Sequence, residues 1–218
     1  MSRKIIFATG NEGKMREIRS ILGDMGMEVL SMKEAGIHTE VVEDGTTFEA
    51  NALIKAKAIA QAAALTAAEG GKRTRGKGGQ TEEVIVLADD SGLEIDYLNK
   101  EPGVYSARYL GEDTPYERKN QSLLERMLGV PQDKRTARFV CAIAAVFPDG
   151  GCETVTAAME GIIGVEAKGQ NGFGYDPIFF LPEYGCSTAE LTMEQKNEAS
   201  HRGKALRKMK EVIRERMV

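Results

Sequence analysis

Four short stretches of the chain combine glycine, acidic and basic residues in orders that could bind and cleave a phosphorylated ligand. The first, TGNEGK at residues 9–14, lies between an apolar run and an apolar pattern with helical spacing. A turn from a strand into a helix presents backbone N–H groups and the positive end of the helix dipole, which together suit an anion. Its glycines allow a close backbone approach, while Thr9, Asn11 and Lys14 add side-chain donors. The alternative is an ordinary turn with an exposed lysine.

This stretch departs from the P-loop at two positions. A P-loop requires a glycine five residues before the Gly-Lys pair and a Ser or Thr after the lysine. Ala8 and Met15 occupy those positions here. A phosphate site in this turn would therefore belong to a different class of nucleotide-binding protein.

The second stretch, LADDSG at residues 87–92, places two adjacent carboxylates at the end of an apolar strand and before a turn. Like charges that close together raise the pKa of one group or recruit a cation. Mg²⁺ takes oxygen ligands and often bridges carboxylates to substrate phosphates. Because neighbouring strand residues face opposite sides, only one of Asp89 and Asp90 is expected to reach such an ion. The alternative is a turn in which Asp89 and Asp90 cap backbone amides. Glu43 and Asp44 are further acids that could share the ion.

The third stretch, NGFGYDPIFF at residues 171–180, interleaves glycines with aromatic and polar residues. This order is typical of a loop that approaches a flat ligand, because an aromatic ring can stack on a base. The alternative is a simple turn before a buried strand.

The fourth stretch, KNEASHRG at residues 196–203, brings a lysine, a histidine and an arginine together. At ~100° per residue, Lys196 and His201 lie ~140° apart on one ideal helix. Either their side chains converge, or Ser200 caps a new helix whose N–H groups face the same anion. The alternative is a solvated basic helix.

Hydrophobic periodicity places these stretches on alternating strands and helices. The predicted elements are a strand over 4–8, helices over 15–25, 46–68 and 115–128, a strand from 84 to the two acids, a hairpin over 137–163, and a helical C-terminal segment with a capping box at Thr192 and Gln195. We therefore predict a mixed central β-sheet flanked by helices, in a single domain over residues 1–218.

Composition excludes several functional classes. Of the 218 residues 42% are hydrophobic and 28% are charged, and the net charge of −4 argues against a general nucleic-acid binder. Three separated cysteines without a CxxC pair predict reduced thiols. The N-terminus becomes polar too soon for a signal peptide, and no apolar run could span a membrane, so we expect a soluble cytoplasmic protein.

Residues 70–83, GGKRTRGKGGQTEE, are glycine-rich, basic and free of apolar side chains. This composition predicts a flexible surface loop. Its cations could contact nucleic acid, but a solvated insertion is the preferred interpretation.

Taken in order, six motifs resemble the inosine/xanthosine triphosphate pyrophosphatase family, which removes noncanonical purine nucleotides. They are TGNEGKxxE (Thr9 to Glu17), FEANAxxKA (Phe48 to Ala56), LADDSGL, PGVYSARY (Pro102 to Tyr109), GFGYDPIF and SHRGKAL. The resemblance covers nearly the whole chain. It implies two lobes with the active-site cleft between them, a homodimer, and Mg²⁺-dependent hydrolysis of dITP, ITP and XTP to the monophosphate and pyrophosphate.

The resemblance also implies a role for each motif. The triphosphate would be gripped by Thr9, Gly10, Asn11, Glu12, Gly13 and Lys14. Asp90 would serve as general base or metal ligand, and Ser91 would contact the nucleotide. The base and sugar would be bound by Phe173, Gly174, Tyr175 and Asp176, with Lys196, His201 and Arg202 completing recognition. Glu43 is the expected second metal ligand, and Asp44 is the alternative.

Two other functions use the same residues. A nucleotide-binding or nucleic-acid-binding protein without turnover would need the phosphate-binding turn, but it gains nothing from carboxylates beside a phosphate. A phosphatase that releases inorganic phosphate stepwise would need both the phosphate-binding turn and the carboxylates. Product analysis distinguishes such a phosphatase from a pyrophosphatase.

Overall fold

The computed structural model describes residues 3–73 and 83–217. Its helices within these ranges are α1 (Glu12–Leu22), α2 (Phe48–Arg73), α3 (Tyr116–Arg126), α4 (Met193–Ala199) and α5 (His201–Arg216). Its strands there are β1 (Arg3–Phe7), β2 (Glu28–Ser31), β3 (Glu83–Ile95), β4 (Glu101–Pro102), β5 (Thr136–Val146), β6 (Cys152–Ile163), β7 (Phe179–Leu181) and β8 (Cys186–Ser187).

The strands form a mixed sheet in the order β2-β1-β3-β5-β6-β7-β8, and β4 pairs with β3. Strand β1 runs parallel to both β2 and β3, whereas β3 with β4, β6 with β7, and β7 with β8 pair antiparallel. Residues 147–151 join β5 to β6, and the Phe147 N–H donates to the Gly151 carbonyl at 2.9 Å. Since a connection this short joins only antiparallel neighbours, the predicted hairpin is confirmed. The predicted mixed sheet with flanking helices is confirmed as well.

The chain divides into two compact units. Unit 1 comprises Met1–Asp90, Ala142–Thr156 and Ala205–Val218, and unit 2 comprises Ser91–Cys141 and Ala157–Lys204. In unit 1, α1 buries the apolar face formed by Met15, Ile18 and Leu22, which recur at helical spacing. In unit 2, strands and helix α3 share a core of buried side chains that includes Leu93, Ile95, Leu123, Phe139, Ile163 and Phe179.

Strand β3 differs from its prediction. The two acids were expected to end the strand in a turn, but β3 continues through Asp89, Asp90 and Ser91 as far as Ile95. The physical reason is that Asp89 and Asp90 each accept a hydrogen bond from a helix side chain, so neither acid needs a turn to satisfy its oxygens.

Helix α2 extends beyond its predicted end at residue 68 as far as Arg73, so residues 70–73 of the predicted loop are helical. Glu83, the last residue of that loop, begins β3. The rest of the predicted loop, residues 74–82, lies outside the described residues.

The predicted capping box is confirmed at the start of α4. The Gln195 N–H donates to Thr192 Oγ1 at 3.2 Å, and the Thr192 N–H donates to Gln195 Oε1 at 3.0 Å. Within residues 3–73 and 83–217, no helix has both the length and the apolar character that crossing a membrane would require.

Candidate functional site

The TGNEGK stretch connects β1 to the N-terminus of α1 in unit 1, as predicted. Asn11 caps this helix, since its Oδ1 accepts from the Gly13 N–H at 2.8 Å and from the Lys14 N–H at 3.1 Å. The Asn11 N–H in turn donates to Thr9 Oγ1 at 3.1 Å. Two helix-terminal amides therefore converge on one oxygen atom, an arrangement that can also hold an anionic oxygen.

Lys14 adds positive charge to this turn and is paired with Asp89. Its Nζ lies 3.0 Å from Asp89 Oδ2 and 3.3 Å from Oδ1. The Asp89 side chain is 1% exposed, whereas that of Lys14 is 25% exposed. The lysine thus neutralises a buried carboxylate and still reaches solvent at the start of α1.

Asp90, the neighbouring acid, has a different helix partner. Its Oδ2 accepts from Asn51 Nδ2 at 3.0 Å. Asn51 is buried, and its Oδ1 accepts from the Gly45 N–H at 2.8 Å. A Cβ at Gly45 would lie 2.7 Å from Asn51 Oδ1, so glycine is required for this approach. Asn51 therefore fixes both the Asp90 carboxylate and the loop that carries Glu43.

Lys55 connects Glu43 to the same strand. Its Nζ lies 2.6 Å from Glu43 Oε1 and donates to the Asp89 carbonyl at 3.2 Å. Glu43 is half-buried, whereas Asp44 is exposed. Of the two acids left open by the sequence, Glu43 is the one that an ion pair holds near Asp89.

The sequence reasoning gave no role to Asn51 or Lys55 and set Asp89 aside in favour of Asp90. Asn51 and Lys55 are four residues apart in FEANAxxKA, a spacing that places two side chains on one face of a helix. That spacing is the signal that could have indicated a paired role for them opposite the acids of β3.

The carboxylate donors of unit 1 suit a divalent cation whose remaining ligands come from substrate and water. Across the described ranges, no group of three or more His, Cys, Asp or Glu side chains is arranged to hold a metal. Mg²⁺ is commonly bound by one or two carboxylates while substrate phosphates and water supply its other ligands. Asp90 with Glu43 matches that pattern, and it does not match a preformed protein cage.

The third predicted stretch lies in unit 2 and turns part of its motif inward. The Phe173 side chain is 58% exposed, whereas Tyr175 and Asp176 are buried. The Tyr175 hydroxyl donates to the Ser106 carbonyl at 2.7 Å. Burial, reinforced by the nearby phenols of other tyrosines, raises the pKa of Tyr175. Gly174, at φ +70°, separates the exposed Phe173 from the buried Tyr175, and its carbonyl oxygen accepts from Asn120 Nδ2 at 3.0 Å.

Two cations flank the exposed Phe173 ring. Lys196 Nζ lies 5.0 Å from the ring centroid, and Arg202 Cζ lies 6.0 Å from it. Lys196 also pairs with the Asp176 carboxylate. Unit 2 therefore brings an aromatic face and two hydrogen-bond donors together.

The alternatives for the KNEASHRG stretch are resolved by a break between two helices. Helix α4 ends at Ala199, and Ser200 caps α5 because its Oγ accepts from the Gly203 N–H at 2.9 Å. His201, the first residue of α5, stacks on Phe139 with ring centroids 5.1 Å apart. Ser91, the remaining predicted contact, lies half-buried in β3 directly after Asp90.

An apolar cavity of about 290 Å³ in unit 2 includes none of these residues. Its walls include Val130, Arg135, Ile163, Val165, Ile178 and Phe180. The candidate site consequently rests on the polar groups described above and not on this cavity.

Residues 5–212 match the sequence model of the Ham1 family. This chain belongs to the Ham1 family. It is 47% identical over 210 residues to the dITP/XTP pyrophosphatase of Desulforamulus reducens, a match that covers 96% of this chain and 95% of that protein. The dITP/XTP pyrophosphatase of Clostridium perfringens is 44% identical over 212 residues, covering 97% and 98% of the two chains.

Solved Ham1 structures have the same fold as this Ham1 chain. A HAM1 protein from Coxiella burnetii matches with a TM-score of 0.82 at 34% identity, over 99% of this chain and 100% of that one. The Staphylococcus aureus Ham1 protein matches with a TM-score of 0.80 at 35% identity, over 98% and 99%. The family resemblance carried by the six ordered motifs is therefore confirmed.

Proposed function

We propose that this Ham1 protein hydrolyses dITP, ITP and XTP to the nucleoside monophosphate and pyrophosphate, which keeps these bases out of DNA and RNA. The observation that carries the proposal is that unit 1 pairs Lys14 of the α1 turn with Asp89 and that Asn51 holds the neighbouring carboxylate of Asp90. These groups occur in a chain 47% identical to a dITP/XTP pyrophosphatase.

The α1 turn supplies the phosphate contacts. Amides at the helix N-terminus, with the side chains of Thr9, Asn11 and Lys14, would bind the triphosphate, and Glu12 would contribute its backbone only, since its own charge repels phosphate. Lys14 already carries its charge beside the turn. Positioned positive charge on a leaving pyrophosphate is the main contribution a protein makes to such a displacement.

Asp90 would orient or deprotonate the water that attacks the α-phosphorus. Asn51 holds one of its oxygens at 3.0 Å, so the carboxylate enters the reaction with a fixed orientation. A positioned general base of this kind contributes about 10²- to 10⁴-fold to a rate.

Asp90 and Glu43 would hold Mg²⁺, which supplies positive charge on the phosphates when it is bound. Lys55 keeps Glu43 in place through an ion pair at 2.6 Å. Asp44 is exposed and is the less suitable second ligand.

The base would stack on Phe173, the exposed aromatic ring of unit 2, and Lys196 and Arg202 would donate to its 6-oxo group. Adenine carries a 6-amino group in place of the 6-oxo group. Lys196 and Arg202 would then face a hydrogen-bond donor and not an acceptor, so the site would reject adenine. Buried Tyr175 and Asp176 would hold this loop in shape, while Ser91 and His201 would complete the nucleotide contacts.

The protein would act as a cytoplasmic homodimer on small nucleotides, without stable nucleic-acid binding, and residues 1–218 would form one pyrophosphatase domain. Matches that extend over 95% and 98% of two relatives support the single domain. The net charge of −4 supports the absence of a general nucleic-acid surface.

Product analysis tests the proposal. The protein with Mg²⁺ would be incubated separately with dITP, ITP, XTP, GTP and ATP, and the products would be separated by ion exchange. Monophosphate and pyrophosphate from the first three, with GTP and ATP nearly untouched, is the expected result. Diphosphate with inorganic phosphate would identify a stepwise phosphatase, and tight binding without turnover would identify a binding protein.

Asp90→Asn tests the role of the carboxylate. The asparagine amide keeps an oxygen that can accept from Asn51 but lacks the basicity of the carboxylate. Turnover should fall by about 10²-fold or more, while the melting temperature stays that of the wild type. A variant that hydrolyses dITP at the wild-type rate would remove Asp90 from the mechanism.

A further inference from the structure

We propose that Thr188 is a positioning residue for base recognition and that it acts through the carboxylate of Asp176. This inference rests on the proposed function. Thr188 lies in unit 2 directly after β8, is 0% exposed, and is not among the residues that the sequence motifs indicated.

The contacts of Asp176 define what Thr188 does. Thr188 Oγ1 lies 2.9 Å from Asp176 Oδ1 and 3.1 Å from the Asp176 carbonyl oxygen, so its single hydroxyl proton is directed at the nearer carboxylate oxygen. The other oxygen, Oδ2, accepts from the Phe173 N–H at 2.8 Å and from the Lys196 ammonium. Anchoring Oδ1 therefore fixes the rotation of the carboxylate and directs Oδ2 at the loop and the lysine.

Two of the three groups that would face the base, Phe173 and Lys196, depend on Oδ2. Phe173 carries the exposed ring, and the Lys196 ammonium lies 5.0 Å from the centre of that ring. Lysine has a long, flexible side chain, so its ammonium stays beside the ring only while Asp176 holds it there. Releasing Oδ1 would let the carboxylate turn and would loosen the ring and the lysine together.

This chain of contacts lies entirely within unit 2, whereas the proposed phosphate and water chemistry uses residues of unit 1. The effect of losing the Thr188 hydroxyl should therefore appear in nucleotide affinity and base selectivity, with little change in the chemical step. A residue that only filled space would not separate these quantities.

Thr188 can be changed with little disturbance of its packing. Its N–H donates to the Phe179 carbonyl at 2.9 Å, a backbone bond that any residue except proline retains. Thr188→Val keeps the shape and the branching at Cβ but replaces the hydroxyl with a methyl group, whereas Thr188→Ser keeps the hydroxyl and removes the methyl group. Thr188→Ala removes both without adding an apolar group, and it serves if the valine variant does not fold.

Steady-state rates with dITP and ATP, and the Kd for inosine monophosphate, form the test. A hydrogen bond to a charged group changes an equilibrium about 10- to 100-fold. Thr188→Val should therefore raise the KM for dITP and the Kd for inosine monophosphate by about tenfold or more. Its kcat should stay within about twofold of wild type, its preference for dITP over ATP should fall, and Thr188→Ser should restore the wild-type values.

Thr136→Val is a matched control, because it also removes a threonine hydroxyl that donates to a carboxylate in unit 2, at 2.7 Å from Asp96 Oδ2. It should leave KM and selectivity unchanged. Wild-type KM, Kd and selectivity in Thr188→Val would overturn the inference, and so would equal losses in the serine and valine variants. The Kd for the monophosphate tests Thr188 even if the wild-type protein cleaves no dITP, a result that would instead contradict the proposed function.

Discussion

Replacing Lys14 by alanine should damage stability and substrate binding in two separable ways. Lys14 Nζ lies 3.0 Å from Asp89, whose side chain is 1% exposed. The alanine variant leaves that carboxylate buried beside an empty position, and it also removes a positive charge from the α1 turn. The first effect belongs to the fold, and the second belongs to the proposed phosphate site.

The stability effect can be bounded from the burial of the two partners. Removing one partner of a buried ion pair costs about 3–5 kcal/mol in the free energy of unfolding. Because a quarter of the Lys14 side chain is exposed and water can screen the pair, we expect a cost near the lower end, about 3 kcal/mol. For a chain of this size that lowers Tm by about 6–12 °C.

The binding effect is expected to be of similar size. Loss of one charged hydrogen bond to the triphosphate should raise the KM for dITP about 10- to 100-fold. Asp89→Asn removes the buried charge instead of the lysine, so it should cost only about 1 kcal/mol in stability. The double variant K14A/D89N should therefore regain most of the lost Tm but keep the high KM.

Calorimetric melting and initial rates with dITP measure the two effects on the same preparations. Lys168→Ala is the control, because Lys168 forms an exposed ion pair with Glu166 at 3.1 Å, and a pair of that kind contributes little to stability. A double variant with the wild-type KM would show that Lys14 does not bind phosphate. A Lys14→Ala variant with the wild-type Tm would show that the buried pair does not stabilise the fold.

Two further substitutions test other parts of the structure. Gly172→Ala should raise the KM for dITP about tenfold or more and destabilise the fold by about 1–3 kcal/mol, because Gly172 has φ +77° and a Cβ there would lie 2.7 Å from Lys196 Nζ. Gly150→Ala, at φ +82° with nothing within 4 Å of the added Cβ, introduces the backbone strain alone, so it should lower Tm by less and leave the KM unchanged. Hydrogen bonds from Thr136 and then Arg138 lower the pKa of Asp96, so its carboxylate stabilises the fold above the unfolded value of 3.8 and loses that effect as pH falls through the folded pKa. Asp96→Asn should therefore lower Tm at neutral pH by an amount that vanishes as the pH falls through the folded pKa of Asp96, and a pH-independent difference would contradict this reasoning.

Local features of the site could be predicted from the sequence, because their signals lie within a few residues. The strand-to-helix turn at Thr9–Lys14 follows from an apolar run, two glycines and helical spacing. The capping box at Thr192 and the cap at Ser200 follow from residue types at fixed offsets. Each of these elements forms its hydrogen bonds largely with itself, so no distant partner is needed to define it.

The partners of the acids could not be predicted in this way. Lys14 pairs with Asp89 across 75 positions of the chain, and Asn51 pairs with Asp90 across 39. The expected turn after Asp90 was wrong for the same reason, since those donors allow β3 to continue as a strand. Likewise, an aromatic residue in a glycine-rich loop can be exposed like Phe173 or buried like Tyr175, and only the packing of unit 2 decides between them.

The charges of unit 1 give a physical reason for metal dependence that does not rest on the family. Lys14 and Lys55 provide two positive charges, while Glu43, Asp89 and Asp90 provide three negative ones, and both lysines already form ion pairs with acids of this group. A triphosphate brought to this site would meet a group with no surplus of positive charge. Close like charges are unfavourable in a partly buried setting, so on the proposed function a cation bound with the substrate would offset the charge of the triphosphate. On the proposed function, the carboxylates would select the substrate that carries a divalent ion, a role they could not have in a site that binds an anion alone.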